Sequence, residues 1–364
     1  MITSTFNNIE ISALATAVPT KWTPIEKFDT DAEPDIIKTF KNSVGVEGRY
    51  DAAPRQTTSD FAYVAAKAVL EHRKIRTEDV GVLVFVTQSP DYRTPATACV
   101  LQNRLGLSES CIAFDVNQGC SGMVYGLNIA CALLTNANTD NALLLLGDIA
   151  GKKYRRNITN GEINREDGEA MLFGDAGAAV LLQKKEQATP LHMGMCTDGS
   201  GFKSLIQPYG QYRHHYGSDA SEMDGAAIFD FSISRAPELI KNLMDTIGTT
   251  SEEYDCLALH QANKLIMKQI AKYAGFSKEQ NLIAINQFGN TTSASIATAL
   301  TKRYGKDEAG KIRAMLCGYG IGLSWGAVSM EMNKKDILPL ILTDEFFDDG
   351  YPDKQPSWST KIKG

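Results

Sequence analysis

Cys120, His260 and Asn290 stand in three separate apolar frames: VNQGCSGMVYG, LALHQAN and INQFGNTTSAS. A thiol and an imidazole are the minimum for thiol acylation, since sulfur must be activated before it attacks a carbonyl. A neutral amide added to that pair suits carbanion chemistry better than hydrolysis, because it can donate to a developing enolate without repelling it. The set could therefore carry acyl transfer with carbon–carbon bond formation. The three residues are spread over 170 positions, from 120 to 290, so only the fold can bring them together.

Each residue also has a plainer reading. Cys120 is one of seven cysteines (99, 111, 120, 131, 196, 256 and 317), most of them in apolar surroundings where a thiol packs as a small hydrophobe. What separates Cys120 is its turn: Gly119, Ser121 and Gly122 allow a sharp strand-to-helix connection and close substrate approach. A thiol at the start of the helix that follows would have its thiolate favoured by the macrodipole and free N–H groups. His260 ends the apolar run CLAL and is followed by Gln261 and Asn263, which places it at a strand end facing a cleft. A core or capping histidine is the alternative. For Asn290, in a Gly-Asn-Thr-Thr-Ser turn before SASIATAL, helix capping competes directly with catalysis.

The elements that must position these groups follow an α/β pattern. VGVLVFVT, CIAFDVN and NALLLLGD are short buried-strand runs separated by helical stretches. The order repeats. LVFVTQ, DVNQGCSG, ALLLLGD and GAAVLLQ in the first half answer to CLALHQAN, AINQFGNTTSAS, AMLCGYG and WGAVSMEM in the second. Four matches in order point to duplication, and in a duplicated α/β fold the strand ends of both halves face a shared crevice. Residues 1–183 form the expected first half, 184–332 the second and 333–364 a C-terminal extension. The stretch 199–225 looks like a long connection between halves and a pocket rim. The extension looks like an appendage, either a loose tail or a contact with a partner.

Bulk properties narrow the class. The chain has 364 residues, 43% hydrophobic and 22% charged, which is ordinary for a globular enzyme of one or two domains. No apolar run approaches the roughly 18 residues of a membrane span, and MITSTFNNIE is no secretory signal, so a cytoplasmic location is expected. Net charge of −6 argues against a nucleic-acid partner. The cysteines form no disulfide framework or zinc spacing, and His214-His215 sits in a polar loop, so no metal and no cofactor are expected. Acidic acyl carriers would need a local basic patch. Lys264, Lys268 and Lys272 share one helix face and are candidates for it; a plain solvated face is the alternative.

GCSG, HQAN, GNTTSAS and GYGIGLSWG together resemble the motifs of β-ketoacyl-acyl-carrier-protein synthase III, of the thiolase superfamily. LFGDAGAAV and MDGAAIFDFSISRAPELI resemble further segments, and the likeness spans about residues 8–332. It implies a duplicated five-layered αβαβα thiolase fold working as a homodimer. It implies that Cys120 takes an acyl group from acyl-CoA or an acyl carrier. His260 and Asn290 would then stabilise the enolate from decarboxylation of malonyl-carrier protein, and the backbone of Cys120 and Gly320-Ile321-Gly322 would form the oxyanion hole. Near relatives separate here. Hydroxymethylglutaryl-CoA synthases need a Glu where TQSP carries Gln88, and chalcone-type synthases carry a different His motif.

Two departures from the family pattern stand out. Its Trp and Arg that grip the CoA nucleotide are replaced by Thr39 and Ser43 in IIKTFKNSVGVEGR. The donor is then a carrier protein, or CoA held otherwise, with Lys152, Lys153, Arg155 and Arg156 as candidates against the plainer reading of a solvated loop. In the family, the residue before a proline reaches across the dimer and walls the acyl pocket. Here it is Thr94, before Pro95, which implies a primer longer than acetyl. Two other functions remain in play: transfer of the Cys-bound acyl group to an alcohol or amine without condensation, and a non-catalytic partner subunit, which would typically lack the nucleophile.

Overall fold

The computed structural model describes residues 1–28, 34–149, 171–217, 221–306 and 309–351. Its core is two mixed sheets. The first contains β2 (Ile9–Pro19), β3 (Val80–Val86), β4 (Ile112–Val116), β5 (Asn141–Asp148), β6 (Ala176–Lys184) and β11 (Ile341–Thr343). Their spatial order is β11-β2-β6-β5-β3-β4. The second contains β1 (Ile2–Phe6), β7 (Leu191–Thr197), β8 (Cys256–Leu259), β9 (Lys311–Gly320) and β10 (Ser324–Asn333), in the order β1-β7-β10-β9-β8.

The duplication is visible in this order. Along β2-β6-β5-β3-β4 the pairings run antiparallel, antiparallel, parallel, parallel. Along β7-β10-β9-β8 they run antiparallel, antiparallel, parallel, and a parallel bridge from Leu257 to Asn281 stands where β4 stands in the first sheet.

Helices α1 (Pro34–Ser43), α2 (Thr58–Arg73), α3 (Thr97–Leu105), α4 (Gly122–Asn136), α5 (Gly225–Ile247), α6 (Lys264–Tyr273) and α7 (Ser295–Tyr304) complete the layers. On the outer face of the first sheet, Phe61, Ala65 and Val69 of α2 pack on Ala15, Leu83, Phe85 and Leu143. On the outer face of the second, Leu239 and Leu243 of α5 and Met267 and Ile270 of α6 pack on Leu257, Leu259 and Met315. Between the sheets lie α4 and α7, with Met123, Val124, Leu127, Ile296 and Leu300 against Val84, Val86, Leu316 and Val328. Helices thus cover both faces of both sheets, which is why the strands are near-continuous apolar runs rather than alternating ones. Each such side chain, fully buried, contributes about 1.5–3 kcal/mol of hydrophobic stabilisation.

Small residues let α4 sit between two sheets. A Cβ on Gly126 would lie 2.6 Å from Leu144 Cδ1 of the first sheet, and one on Gly318 would lie 2.8 Å from the Cα of Ser121. Glycine at both places brings the turn carrying Cys120 within reach of strands from both halves.

The chain ends depart from the boundaries expected at 183 and 332. Strand β1 pairs with β7 in the second sheet, and β11 pairs in parallel with β2 in the first. The extension is no loose appendage through Tyr351. Asp336 is buried and takes hydrogen bonds from His72 (2.9 Å) and Asn333 (3.0 Å), and Phe347 N–H donates to Asp60 (2.8 Å). Apolar Ile341 and Phe347 could not be assigned to the first half by local pattern, because their partners lie about 300 positions upstream. The 199–225 stretch likewise follows β7, so it belongs within the second half rather than between halves. Its short ribbon pairs Leu205–Ile206 with Glu222–Met223.

Candidate active site

Cys120 lies in the turn between β4 and α4 and is buried. The helix N-cap is Ser121, one residue later. Ile321 N–H, from the turn between β9 and β10, hydrogen bonds to the sulfur. Gly320 is packed against it: a Cβ there would lie 2.6 Å from Cys120 Cβ and 3.1 Å from Sγ. The turn is held from behind, since Ser324 Oγ donates to Ile321 O (2.6 Å) and Gln118 Nε2 donates to Ser324 Oγ (2.7 Å) and Ser121 Oγ (2.8 Å).

The expectation of a favoured thiolate is corrected here. Burial pushes the Cys120 thiol up to about 12, and the nearby Asp148 adds to the rise; the N–H groups of Ile321 and Cys120 pull the other way without winning. The physical reason is that a thiolate in this pocket loses its water, and two backbone donors do not replace that hydration. The sulfur rests as a thiol and must lose its proton as it attacks.

His260 follows the last residue of β8 and is 1% exposed. Its Nδ1 lies 2.7 Å from Ser295 Oγ, and the ring meets Tyr319 edge-on with centroids 5.6 Å apart. Tyr319 O–H donates to the His260 carbonyl (3.2 Å). Burial drives the ring's pKa down to about 3, and a hydrogen bond from the ring to the Thr292 backbone carbonyl opposes that fall only in part. The imidazole is neutral at pH 7 and carries one N–H.

Asn290 is buried beyond a one-turn helix, Ile285–Phe288, that ends on Gly289 at φ +65°. Its N–H donates to Leu172 O (2.8 Å) and its carbonyl accepts from Gly174 N–H (3.1 Å), which ties it to the segment leading into β6. Its Oδ1 accepts from Thr292 N–H (2.9 Å). That fixes the amide's orientation and leaves its NH₂ as donor. The competing reading of helix capping does not hold: the caps of the helical turns that follow are Thr291 and Ala294, and Asn290 instead closes a local turn onto Thr292.

Thr292, Asp148, Ser295 and Tyr319 were missed at the sequence level. Thr292 joins the site: it touches Asn290 through its N–H, the His260 ring through its backbone and Asp148 through its hydroxyl. The signal that could have found Asp148 is an acidic residue closing the wholly apolar run ALLLLGD.

The other expected residues lie outside this cluster. Gln88 lies two residues beyond β3, and its side chain lies over Gly119, where a Cβ would come within 2.4 Å of Oε1; a neutral amide is therefore beside the thiol's turn. Thr94 is exposed on the loop before α3, whose first N–H groups, of Thr97 and Ala98, are capped by Asp115 at 2.7 Å each. Lys264, half-buried, and Lys268, exposed, border a surface depression with Asn42, Ser43 and Leu265; exposed Lys272 lies further along α6. The Thr39 side chain and Lys152, Lys153, Arg155 and Arg156 lie outside the described residues. His214 and His215 sit on an exposed loop, edge-on to Tyr209 and Tyr216.

Residues 114–199 match the family model of 3-oxoacyl-[acyl-carrier-protein] synthase III, and residues 244–332 its C-terminal model. The β-ketoacyl-[acyl-carrier-protein] synthase III of Neisseria gonorrhoeae (strain NCCP11945) is 31% identical over 310 residues, covering 84% of this chain and 92% of that one. The chain belongs to the β-ketoacyl-acyl-carrier-protein synthase III family. The synthase of Desulfitobacterium hafniense (strain Y51) is 32% identical over 303 residues, 80% of this chain and 88% of its own length.

Among solved structures, 3-oxoacyl-(acyl-carrier protein) synthase from Burkholderia xenovorans LB400 superposes with a TM-score of 0.88 at 28% identity, covering 94% of this chain and 99% of that one. The 3-oxoacyl-(acyl carrier protein) synthase III of Pseudomonas aeruginosa PAO1 gives 0.75 at 26%, covering 92% and 100%. The fold is therefore that of the thiolase superfamily, and the chain is a condensing acyltransferase of fatty-acid synthesis.

Proposed function

We propose that Cys120 is the acyl-accepting nucleophile and that His260 and Asn290 are the decarboxylation pair. The thiol attacks an acyl thioester; the C–S bond to the carrier breaks, and the leaving thiolate takes up the thiol's proton. Malonyl-carrier protein then binds and loses CO₂. The electron pair of the broken C–C bond moves into an enolate whose oxygen faces the N–H of His260 and the NH₂ of Asn290. The enolate carbon attacks the Cys120 acyl carbonyl, and Cys120 leaves as a thiolate that takes a proton from water, giving a β-ketoacyl thioester and the resting thiol. The N–H groups of Cys120 and Ile321, with the Gly320-Ile321-Gly322 turn, take the oxyanion at both acyl steps.

One observation carries this reading: a neutral, buried His260 and an Asn290 with its carbonyl end already occupied share Thr292 as a partner. Two neutral donors stabilise negative charge as it appears, whereas a carboxylate in their place would repel it. Transfer of the acyl group to an alcohol or amine would need no such pair.

The carrier is proposed to dock on the α6 lysines, Lys264, Lys268 and Lys272, beside the depression that includes Ser43. A homodimer is proposed, with Thr94 from one protomer walling the acyl pocket of the other and admitting primers longer than acetyl. The test is mass analysis of products from purified enzyme, malonyl-carrier protein and a panel of acyl thioesters, with Cys120→Ala as control. A Cys120-dependent β-ketoacyl-carrier product is expected. Acyl-Cys120 that forms without CO₂ release would replace this reading with simple acyl transfer.

A further inference from the structure

Asp148 closes β5 and is 2% exposed, yet it belongs to none of the roles above. Its carboxylate is divided between the two halves of the molecule. Oδ1 accepts from Gln88 N–H (2.7 Å), with Ser89 Oγ at 3.3 Å and Thr87 Oγ1 at 3.4 Å, all on the loop that closes over the Cys120 turn. Oδ2 accepts from the Thr292 hydroxyl in a short hydrogen bond, from Ser293 Oγ (3.0 Å) and weakly from Ser293 N–H (3.5 Å). A carboxyl group offers two acceptor oxygens, so one can take donors from the first half while the other takes donors from the second.

Thr292 needs such an anchor. It is a β-branched residue at φ +46°, in the left-handed region that such residues rarely occupy. A strained turn persists only where its surroundings over-determine it. Here the turn sets the Asn290 amide through one hydrogen bond and touches the His260 ring through another.

We infer that Asp148 is a positioning residue: by holding the Thr292 hydroxyl it fixes the turn that aims the His260 and Asn290 donors at the enolate. It acts on decarboxylation and condensation rather than on loading of the thiol. The inference rests on the assignment of Cys120, His260 and Asn290 in the preceding section. Burial also raises the carboxyl's own pKa, the cost of keeping this anchor out of water.

The deciding variants are Thr292→Val, which keeps the shape and branching and removes the hydroxyl, Thr292→Ser, which restores it, and Asp148→Asn. Three quantities are read separately: acylation of Cys120 by mass, kcat and KM for CO₂ release from malonyl-carrier protein, and condensation. For T292V and D148N, kcat for CO₂ release should fall by about 30- to 100-fold, the scale of a misaimed catalytic group. For T292V, which leaves the Asp148 carboxyl beside the thiol, KM and Cys120 acylation should stay within about threefold. T292S should recover most of the loss, and the double variant should be no worse than the poorer single one, since the two act as a unit. CO₂ release by T292V within threefold of wild type would overturn the inference. So would acylation and decarboxylation falling together, which would mean general disorder of the site. Condensation surviving Cys120→Ala would instead overturn the underlying assignment, and T292V judges Asp148 independently if D148N does not fold.

Discussion

At the scale of single residues, the site combines groups whose ordinary chemistry has been altered by burial. His260 is neutral because water is excluded, and this has a sign that can be measured. In the unfolded chain the ring takes a proton near 6.5; in the fold it does so only near 3. Between those values the unfolded state binds more protons, so the stability this ring contributes is present above about 6.5 and is lost as pH falls. Wild type should therefore lose about 2 kcal/mol more than His260→Gln between pH 6.5 and 5, read from urea midpoints. Asp148, whose carboxyl is raised by burial, acts in the opposite sense, weakening the fold as pH rises above about 4, and the comparison cancels it because both proteins keep it. The same neutrality predicts a CO₂-release rate with no inflection near 6.5. Gly320 gives a second prediction. A methyl there would sit 2.6 Å from Cys120 Cβ, so Gly320→Ala should displace the sulfur and cut Cys120 acylation by about 100-fold or more, checked by intact mass after timed acylation.

At the scale of elements, strands β3, β5, β8 and β9 were readable as buried runs, and the helix after Cys120 was readable from its apolar, small-residue composition. The extension was not. Its last described part works as a strap: Gln56 Nε2 donates to Thr343 O (3.2 Å) and Glu345 O (2.9 Å), and Arg104 is pinned between α2, α3 and the strap. The Arg104 guanidinium bonds Asp60 at 3.0 Å and lies over Tyr63 and Phe347, at 4.5 and 4.6 Å from the ring centroids. Asp60 is 1% exposed, so Arg104→Ala would leave a buried carboxylate without its cation. A loss of about 3–5 kcal/mol in unfolding free energy is expected, measured by urea titration. A loss below about 1 kcal/mol would show the strap to be held by its backbone pairing alone.

At the scale of the whole molecule, the single chain leaves Thr94 on an exposed loop, while Arg93 beside it donates to Gly210 O (3.1 Å) and covers Tyr212 at 4.9 Å. The loop before α3 and residues 210–212 thus join in one exposed rim. If that rim meets a second protomer, Thr94→Phe should narrow the neighbouring pocket. It should lower kcat/KM for eight- to twelve-carbon primers by about tenfold or more relative to acetyl, since filling an acyl site acts through each excluded methylene. Acetyl preferred equally by wild type would remove both the dimer wall and the long primer.

The sequence by itself determined which chemistry was available. Cys120, His260 and Asn290 each sit at the end of a strong local pattern, an apolar strand run or a Gly-bounded turn, and local pattern is what near neighbours in the chain encode. The repeat of strand order was legible for the same reason. Only the tertiary structure decided how those groups behave. The thiol rests protonated and the imidazole neutral because desolvation depends on everything packed around them, not on the residues beside them. Likewise, the partners of Asp148 lie 60 and 144 positions away, and those of the C-terminal strap almost the length of the chain away, so no window of sequence contains both ends of the bonds that hold the site.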